Sequence, residues 1–130
     1  MNLRIATLAA TLAGLTLATS VGAAPVSQDD FQVQTTAHLV SLCAADPSDP
    51  LYTAARNFCH GFAVGTYRAI VMQQMATRAR HKMFCLPASQ PTRDQATAAF
   101  VAWANARPKT LASSPTDGIA EYLAAQYPCP

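Results

Sequence analysis

Four cysteines limit the ways in which this chain can fold, because a disulfide joins two distant segments covalently and has a narrow geometry. They stand at positions 43, 59, 85 and 129 of the 130 residues, and Pro128 and Pro130 bracket the last one at the chain end. Chain ends usually fray unless they are tied down, so a cysteine at this position indicates a disulfide. Disulfides persist only in oxidising compartments, so their formation depends on where the protein goes.

Residues 1–23 have the layout of a secretory signal peptide. Arg4 precedes an uncharged apolar run from Ile5 to Ala18, and small residues follow up to Ala23. A retained anchor is the alternative, but the apolar run is shorter than the about 20 residues that a membrane span needs. We therefore expect cleavage after Ala23 and export of residues 24–130, in which all four cysteines would form two disulfides.

The exported part is the size of one small domain. Cleavage removes 23 of the 130 residues and leaves 107. The leader carries one of the nine Lys and Arg residues and none of the seven acids, so the remainder has a net charge of +1. This balance gives no indication of nucleic acid or an anionic surface as a partner. No other stretch is apolar enough to span a bilayer, so we expect no membrane contact after cleavage.

Helix-start and helix-stop signals predict four helices and no strand, at residues 27–43, 49–80, 92–107 and 114–127. Each predicted helix begins with a capping signal: Ser27 with Asp30, Asp49 followed by Pro50, Thr92 with Gln95, and Ser114 followed by Pro115. Pro108 ends the third predicted helix and Pro128 the fourth. The predicted fold class is all-α, a small four-helix domain stapled by two disulfides.

Two glycines stand four residues apart in the longest predicted helix. Each of Gly61 and Gly65 costs about 1 kcal/mol of helix stability relative to alanine, so both need a reason. We predict that they allow another helix to pack closely. The alternative interpretation is that they form a binding face.

Residues that could carry catalysis or hold a metal are scattered. The chain has no C-x-x-C pair for redox chemistry, and its single Cys59-His60 neighbour pair lacks the spacing of a zinc site. The other histidines, His38 and His81, stand far from it in sequence. We therefore predict no catalytic residue, no metal and no cofactor, and a protein that is not an enzyme.

The cysteine framework and its flanks resemble the Rap/Tai immunity proteins. The stretch "NFCHGFAVG" at 57–65 is similar to that family's Phe-Cys-x-Gly-aromatic-x-x-Gly element. "FCLP" at 84–87, followed by Thr92 and Gln95, resembles its Cys-x-Pro…Thr…Gln entry to the next helix, and "YPCP" resembles its aromatic-Pro-Cys ending. The resemblance runs from about Leu39 to the chain end.

This resemblance implies a small helical domain without catalytic activity or cofactor, often dimeric, that works in the periplasm. Such proteins protect bacteria from their own type VI secreted peptidoglycan amidases by binding the toxin and blocking its active site. The partner implied here is therefore a cognate secreted toxin, an amidase, and a homodimer is compatible with the family.

Four cysteines allow three pairings, which the sequence does not rank with certainty. Our hypothesis joins Cys43 to Cys59 and Cys85 to Cys129. Cys43 ends the first predicted helix, and Cys59 lies about two and a half turns into the second, where an antiparallel neighbour would meet it. A bond from Cys85 to Cys129 would enclose the third and fourth helices and prevent fraying.

Two loops are candidate partner-binding surfaces, since loops carry function more often than scaffolds do. The acidic, proline-stiffened loop 44–50 contains Asp46 and Asp49, which also suit turn and capping roles. The basic region 78–84 contains Arg78, Arg80 and Lys82.

A function from another class remains open: an acid-activated periplasmic chaperone of the small, helical, disulfide-bonded type. Such a protein would bind many clients at low pH and few at neutral pH. An immunity protein would bind one partner tightly near neutrality.

Overall fold

The computed structural model describes residues 24–77 and 82–130, and within these ranges the chain is helical with no strand. The predicted leader, residues 1–23, lies outside the described residues. A short 3-10 helix comes first, and five α-helices follow it: Gln28–Gln32 (3-10), α1 Thr36–Cys43, α2 Tyr52–Ala76, α3 Arg93–Asn105, α4 Pro108–Ala112 and α5 Pro115–Gln126. The all-α class is confirmed.

The first predicted helix is wrong as one continuous element, because the chain breaks at Val33. The predicted capping box of Ser27 and Asp30 is present, but it caps the 3-10 helix. Val33 then adopts a left-handed conformation with φ 46°, which few β-branched residues do. Its side chain is buried, and Thr35 caps the new helix α1. The break lets the chain change direction over the core.

At two of the predicted helix boundaries that contain a proline, the structure differs in detail from the prediction. Asp49 was predicted as the N-cap of α2, but Leu51 holds that position. Asp49 lies three residues before Tyr52, and its side chain accepts a hydrogen bond from the amide of Leu51. Pro108 does end the preceding helical path, yet it also occupies the first turn of α4, a helix that was not predicted. The predicted caps Thr92 and Ser114 are confirmed.

Helix α1 forms the centre of the domain and contacts the 3-10 helix and each of the other four α-helices. Its side chains Leu39 and Leu42 are fully buried. At eight residues it is too short to be stable alone, so it owes its helicity to tertiary packing. Gly118 lets α5 lie close to α1, because a Cβ at this position would be only 2.7 Å from Cγ2 of Thr36.

Both disulfides of our hypothesis are confirmed. Cys43–Cys59 joins the end of α1 to α2, and both of its cysteines are buried. Cys85–Cys129 joins the segment before α3 to the chain end after α5. The amide of Cys85 also donates a 2.8 Å hydrogen bond to the carbonyl oxygen of Tyr127. The chain end is therefore held by a covalent bond and a hydrogen bond.

Candidate functional site

The loop between α1 and α2 carries an exposed carboxylate at Asp46. The backbone amide of Ser48 donates a 2.8 Å hydrogen bond to its Oδ1, and the Ser48 hydroxyl donates one of 2.6 Å. The hydroxyl first and the amide second hold the pKa of Asp46 below its usual value, because both stabilise the charged form. Asp46 is therefore a fixed negative charge at neutral pH.

Asp49, in the same loop, is occupied within the fold. Its Oδ2 accepts a 2.8 Å hydrogen bond from the amide of Val26, and its Oδ1 accepts one of 2.8 Å from the amide of Leu51. The side chain therefore ties the segment before the 3-10 helix to the start of α2. A role of Asp49 in partner binding stays a prediction.

The basic candidate surface is described only in part, because Arg78 and Arg80 lie outside the described residues. Lys82 is exposed. The next residue, Met83, donates a 2.6 Å hydrogen bond from its amide to Oε1 of Gln74 on α2. The structure thus places Lys82 beside the C-terminal part of α2, whereas Asp46 precedes its N-terminus.

Gly61 and Gly65 face open space, which makes the predicted close packing of another helix wrong. Within residues 24–77 and 82–130, no atom of a neighbouring segment lies within 4 Å of where either Cβ would be. The spacing of two glycines along a helix does not show which face of the helix meets the core, and for this reason the prediction failed. The same helix also exposes apolar side chains farther along, because Met72 and Met75 are 69% and 74% exposed. The binding-face interpretation of the two glycines stays a prediction.

Polar side chains of α2 and α3 form a cluster that was not predicted from the sequence. Arg56 reaches Oδ1 of Asp94 with Nη2 at 2.5 Å and donates from Nη1 to the Cys43 carbonyl oxygen at 2.9 Å. His60 Nε2 lies 3.2 Å from the same Asp94 oxygen, yet it is buried and has no well-aligned hydrogen bond. The cluster joins residues 38 apart in sequence, so no local motif could have revealed it.

An apolar groove of about 320 Å³ opens between α2, α3, α5 and the segment that precedes α3. Its lining includes the apolar side chains Val64, Leu86, Phe100, Ile119 and Leu123. Arg68 and Arg93 line it as well. Its residues come from four separate segments, so it too was missed from the sequence.

Residues 24–77 and 82–130 contain neither a cluster of metal ligands nor a helix that could span a membrane. In these ranges no three His, Cys, Asp or Glu side chains come together as metal ligands. None of the helices in these ranges combines the length and apolar character needed to cross a membrane.

Comparison with known proteins gives one family. The family model of the Rap1a immunity proteins matches residues 35–129. No curated protein matches significantly, and no solved structure does. The matched range begins at the cap of α1 and ends at Cys129, so it contains all five α-helices and both disulfides. Because this range is more than half of the chain, the protein belongs to the Rap1a immunity protein family.

Proposed function

We propose that this protein is a periplasmic immunity protein that binds a type VI secreted peptidoglycan amidase and blocks its active site. The observation that carries the proposal is the family match over residues 35–129, since an immunity protein acts on a cognate toxin. The two disulfides support a location outside the cytosol. The amidase class and the type VI route come from the resemblance of the motifs at 57–65 and 84–87.

The disulfide framework suits a protein whose work is binding. A surface that is rigid before association avoids the entropy cost of ordering it in the complex. The loop of Asp46 is held at both ends: the disulfide Cys43–Cys59 anchors the residue at the end of α1, and Asp49 accepts a hydrogen bond from the amide of Leu51 before α2. We propose Asp46 and Asp49, which precede α2 in the sequence, and Arg78, Arg80 and Lys82, which follow it in the sequence, as the candidate toxin contacts.

The test uses the oxidised exported part, residues 24–130, immobilised and exposed to periplasmic extract of the producing bacterium at pH 7 and at pH 3. We expect one stoichiometric partner at pH 7. That partner should release amidase products from purified peptidoglycan, and adding the protein should stop the release. Muropeptide chromatography measures both.

The control is the same chain with all four cysteines reduced and alkylated, which should lose the inhibition. A partner that hydrolyses peptidoglycan equally well with and without the protein would contradict the proposal. Many partners that appear only at pH 3 would favour the acid-activated chaperone instead.

A further inference from the structure

The groove between α2, α3 and α5 has an apolar floor that the fold leaves open. Phe100, Ile119 and Leu123 are core residues that also line it, and Val64 and Leu86 are among the other apolar residues of the lining. At about 320 Å³, it is at the lower end of ligand-binding sites, which begin near about 300 Å³. A space of this size fits one or two side chains of a partner.

Positive charge accompanies the apolar lining. Arg68 and Arg93 line the groove, and over residues 24–77 and 82–130 neither forms an ion pair with an acidic side chain. The acid next to Arg93 in the chain, Asp94, is already paired with Arg56. Two guanidinium groups beside an apolar surface favour an occupant that brings a carboxylate, because Arg binds carboxylates through paired hydrogen bonds.

One wall of the groove is held in place before any partner arrives. Leu86 and Pro91 belong to the segment that precedes α3, and this segment is anchored by the disulfide Cys85–Cys129. The contact of Arg56 with Asp94 also joins α2 to α3, the two helices between which the groove opens. The groove is therefore preorganised, which lowers the entropy cost of binding.

We propose that this groove docks a segment of the partner protein in which an apolar side chain stands next to an aspartate or glutamate. The apolar side chain enters between Val64 and Phe100, and the carboxylate meets Arg68 or Arg93. The inference rests on the proposed function in one respect only: it takes the occupant to be a protein segment because the protein's task is to bind another protein.

A library of random peptides displayed on phage, selected on the oxidised exported part, tests the inference without knowledge of the toxin. We expect enriched peptides to carry an apolar residue beside an acid. A synthetic copy of an enriched peptide should bind Arg68→Gln/Arg93→Gln about tenfold or more weakly, since each lost charge-assisted hydrogen bond contributes on this scale. Raising the salt concentration should also weaken binding to the parent protein.

Lys109→Gln is the matched control, because it removes an exposed positive charge of α4 that is not part of the groove. Ala96→Phe tests the space itself: Ala96 lines the groove, and a phenylalanine there should compete with the peptide. Circular dichroism and the melting temperature establish that each variant is folded. If Ala96→Phe does not fold, the affinity of Arg68→Gln/Arg93→Gln for the peptides still tests the inference.

Enriched peptides that bind Arg68→Gln/Arg93→Gln and the parent equally would overturn the inference. A peptide that binds with the same affinity when its acid is replaced by the amide would also overturn it. So would a folded Ala96→Phe variant that binds the peptides with the same affinity as the parent. Dodecanoate, a free amphiphile with a carboxylate, is tested separately. If it binds in the groove and no peptide is selected, the occupant is a small carboxylate and the proposed protein segment is wrong.

The toxin assay separates this inference from the proposed function. If Arg68→Gln/Arg93→Gln inhibits the amidase as well as the parent does, the groove inference fails and the immunity function stands. If peptides dock in the groove but no cell-wall hydrolase is bound, the immunity function fails and the chemistry of the groove stands.

Discussion

Gly118 and Gly61 both lie in helices, but their environments are opposite. Gly118 faces Thr36 of α1 so closely that a Cβ would be 2.7 Å from Cγ2 of Thr36, whereas a Cβ at Gly61 would meet none of the described residues within 4 Å. Thr36 cannot easily move away, because it is buried and its hydroxyl donates a 2.9 Å hydrogen bond to the Ser114 carbonyl oxygen. The contact between α1 and α5 therefore depends on Gly118.

Substitution to alanine should separate these two cases. We expect Gly118→Ala to lower the free energy of unfolding by about 1–3 kcal/mol, because the added methyl group overpacks the contact with Thr36. Gly61→Ala is the matched control and should raise it by up to about 1 kcal/mol through helix propensity. Urea unfolding followed by circular dichroism measures both. A neutral Gly118→Ala would contradict the close contact.

Tyr122 is a titratable residue that the fold buries. It is 5% exposed, and its ring packs edge-on against Phe100, Trp103 and Tyr127. Burial, and then the neighbouring Tyr127, raises the pKa of Tyr122 to about 12 from an ordinary value of 10.0. The folded protein thus keeps the phenol proton over a pH range in which the unfolded chain releases it.

Tyr122 should therefore make the free energy of unfolding decrease in alkali, and it should have no such effect in mild acid. Below pH 10 the phenol is protonated in both states and its contribution is constant. As the pH rises from 10 towards 12, the unfolded chain loses the proton first, so the free energy of unfolding decreases. Tyr122→Phe keeps the ring and should show a smaller decrease in urea unfolding between pH 9 and pH 11. Parallel curves for the two proteins would refute the shift.

At the scale of elements, short helices depend on covalent and tertiary ties. Helix α4 has five residues and α1 has eight, and neither length is stable for an isolated helix in water. Cys43–Cys59 secures α1 against α2, and its two cysteines are 16 positions apart in the sequence. Cys85–Cys129 spans 44 residues and encloses α3, α4 and α5. The two bonds thus restrain different parts of the domain.

Removing each disulfide should loosen a different set of helices. We expect Cys85→Ala/Cys129→Ala to cost about 3–4 kcal/mol, since it opens the longer loop of the unfolded chain. Hydrogen exchange should increase most around residues 82–91 and after α5. Cys43→Ala/Cys59→Ala is the comparison, and there the increase should centre on α1 and the start of α2. Equal loss of protection everywhere in both variants would be contrary to this assignment.

At the scale of the whole molecule, the two proposed toxin contacts lie at opposite ends of α2. The distance from Tyr52 to Gln74, beside which Lys82 lies, is about 33 Å at 1.5 Å per residue. A standard interface covers about 800 Å² on each partner, a patch of similar width, and its energy is concentrated near the centre. One toxin therefore has little room to use both ends strongly.

We expect the Asp46 loop to be the stronger contact, because it is preorganised and carries a fixed charge. Asp46→Asn should weaken toxin binding about tenfold, and Lys82→Gln should change it less than about twofold. Asp29→Asn controls for the loss of an exposed acid elsewhere. Titration calorimetry with the purified toxin measures the affinities. A large effect of Lys82→Gln with none from Asp46→Asn would move the contact to the other end of α2.

Local interactions explain why much of this protein could be predicted from its residues. The capping boxes at Ser27 and Thr92 and the cap at Ser114 act within one helical turn, so a short stretch of sequence suffices to recognise them. The pairing of Cys43 with Cys59 followed from two adjacent helices and a short connection. The all-α class followed from the same signals.

Features that join residues far apart in the sequence could be recognised only in the tertiary structure. Val33 breaks the first helix because its side chain is buried in the core, a gain that outweighs a disfavoured backbone conformation. Gly118, and not Gly61 or Gly65, meets a neighbour because of how α5 lies on α1. The groove with Arg68 and Arg93 draws on four segments. Such contacts depend on the relative placement of helices, which capping and spacing along one segment do not encode.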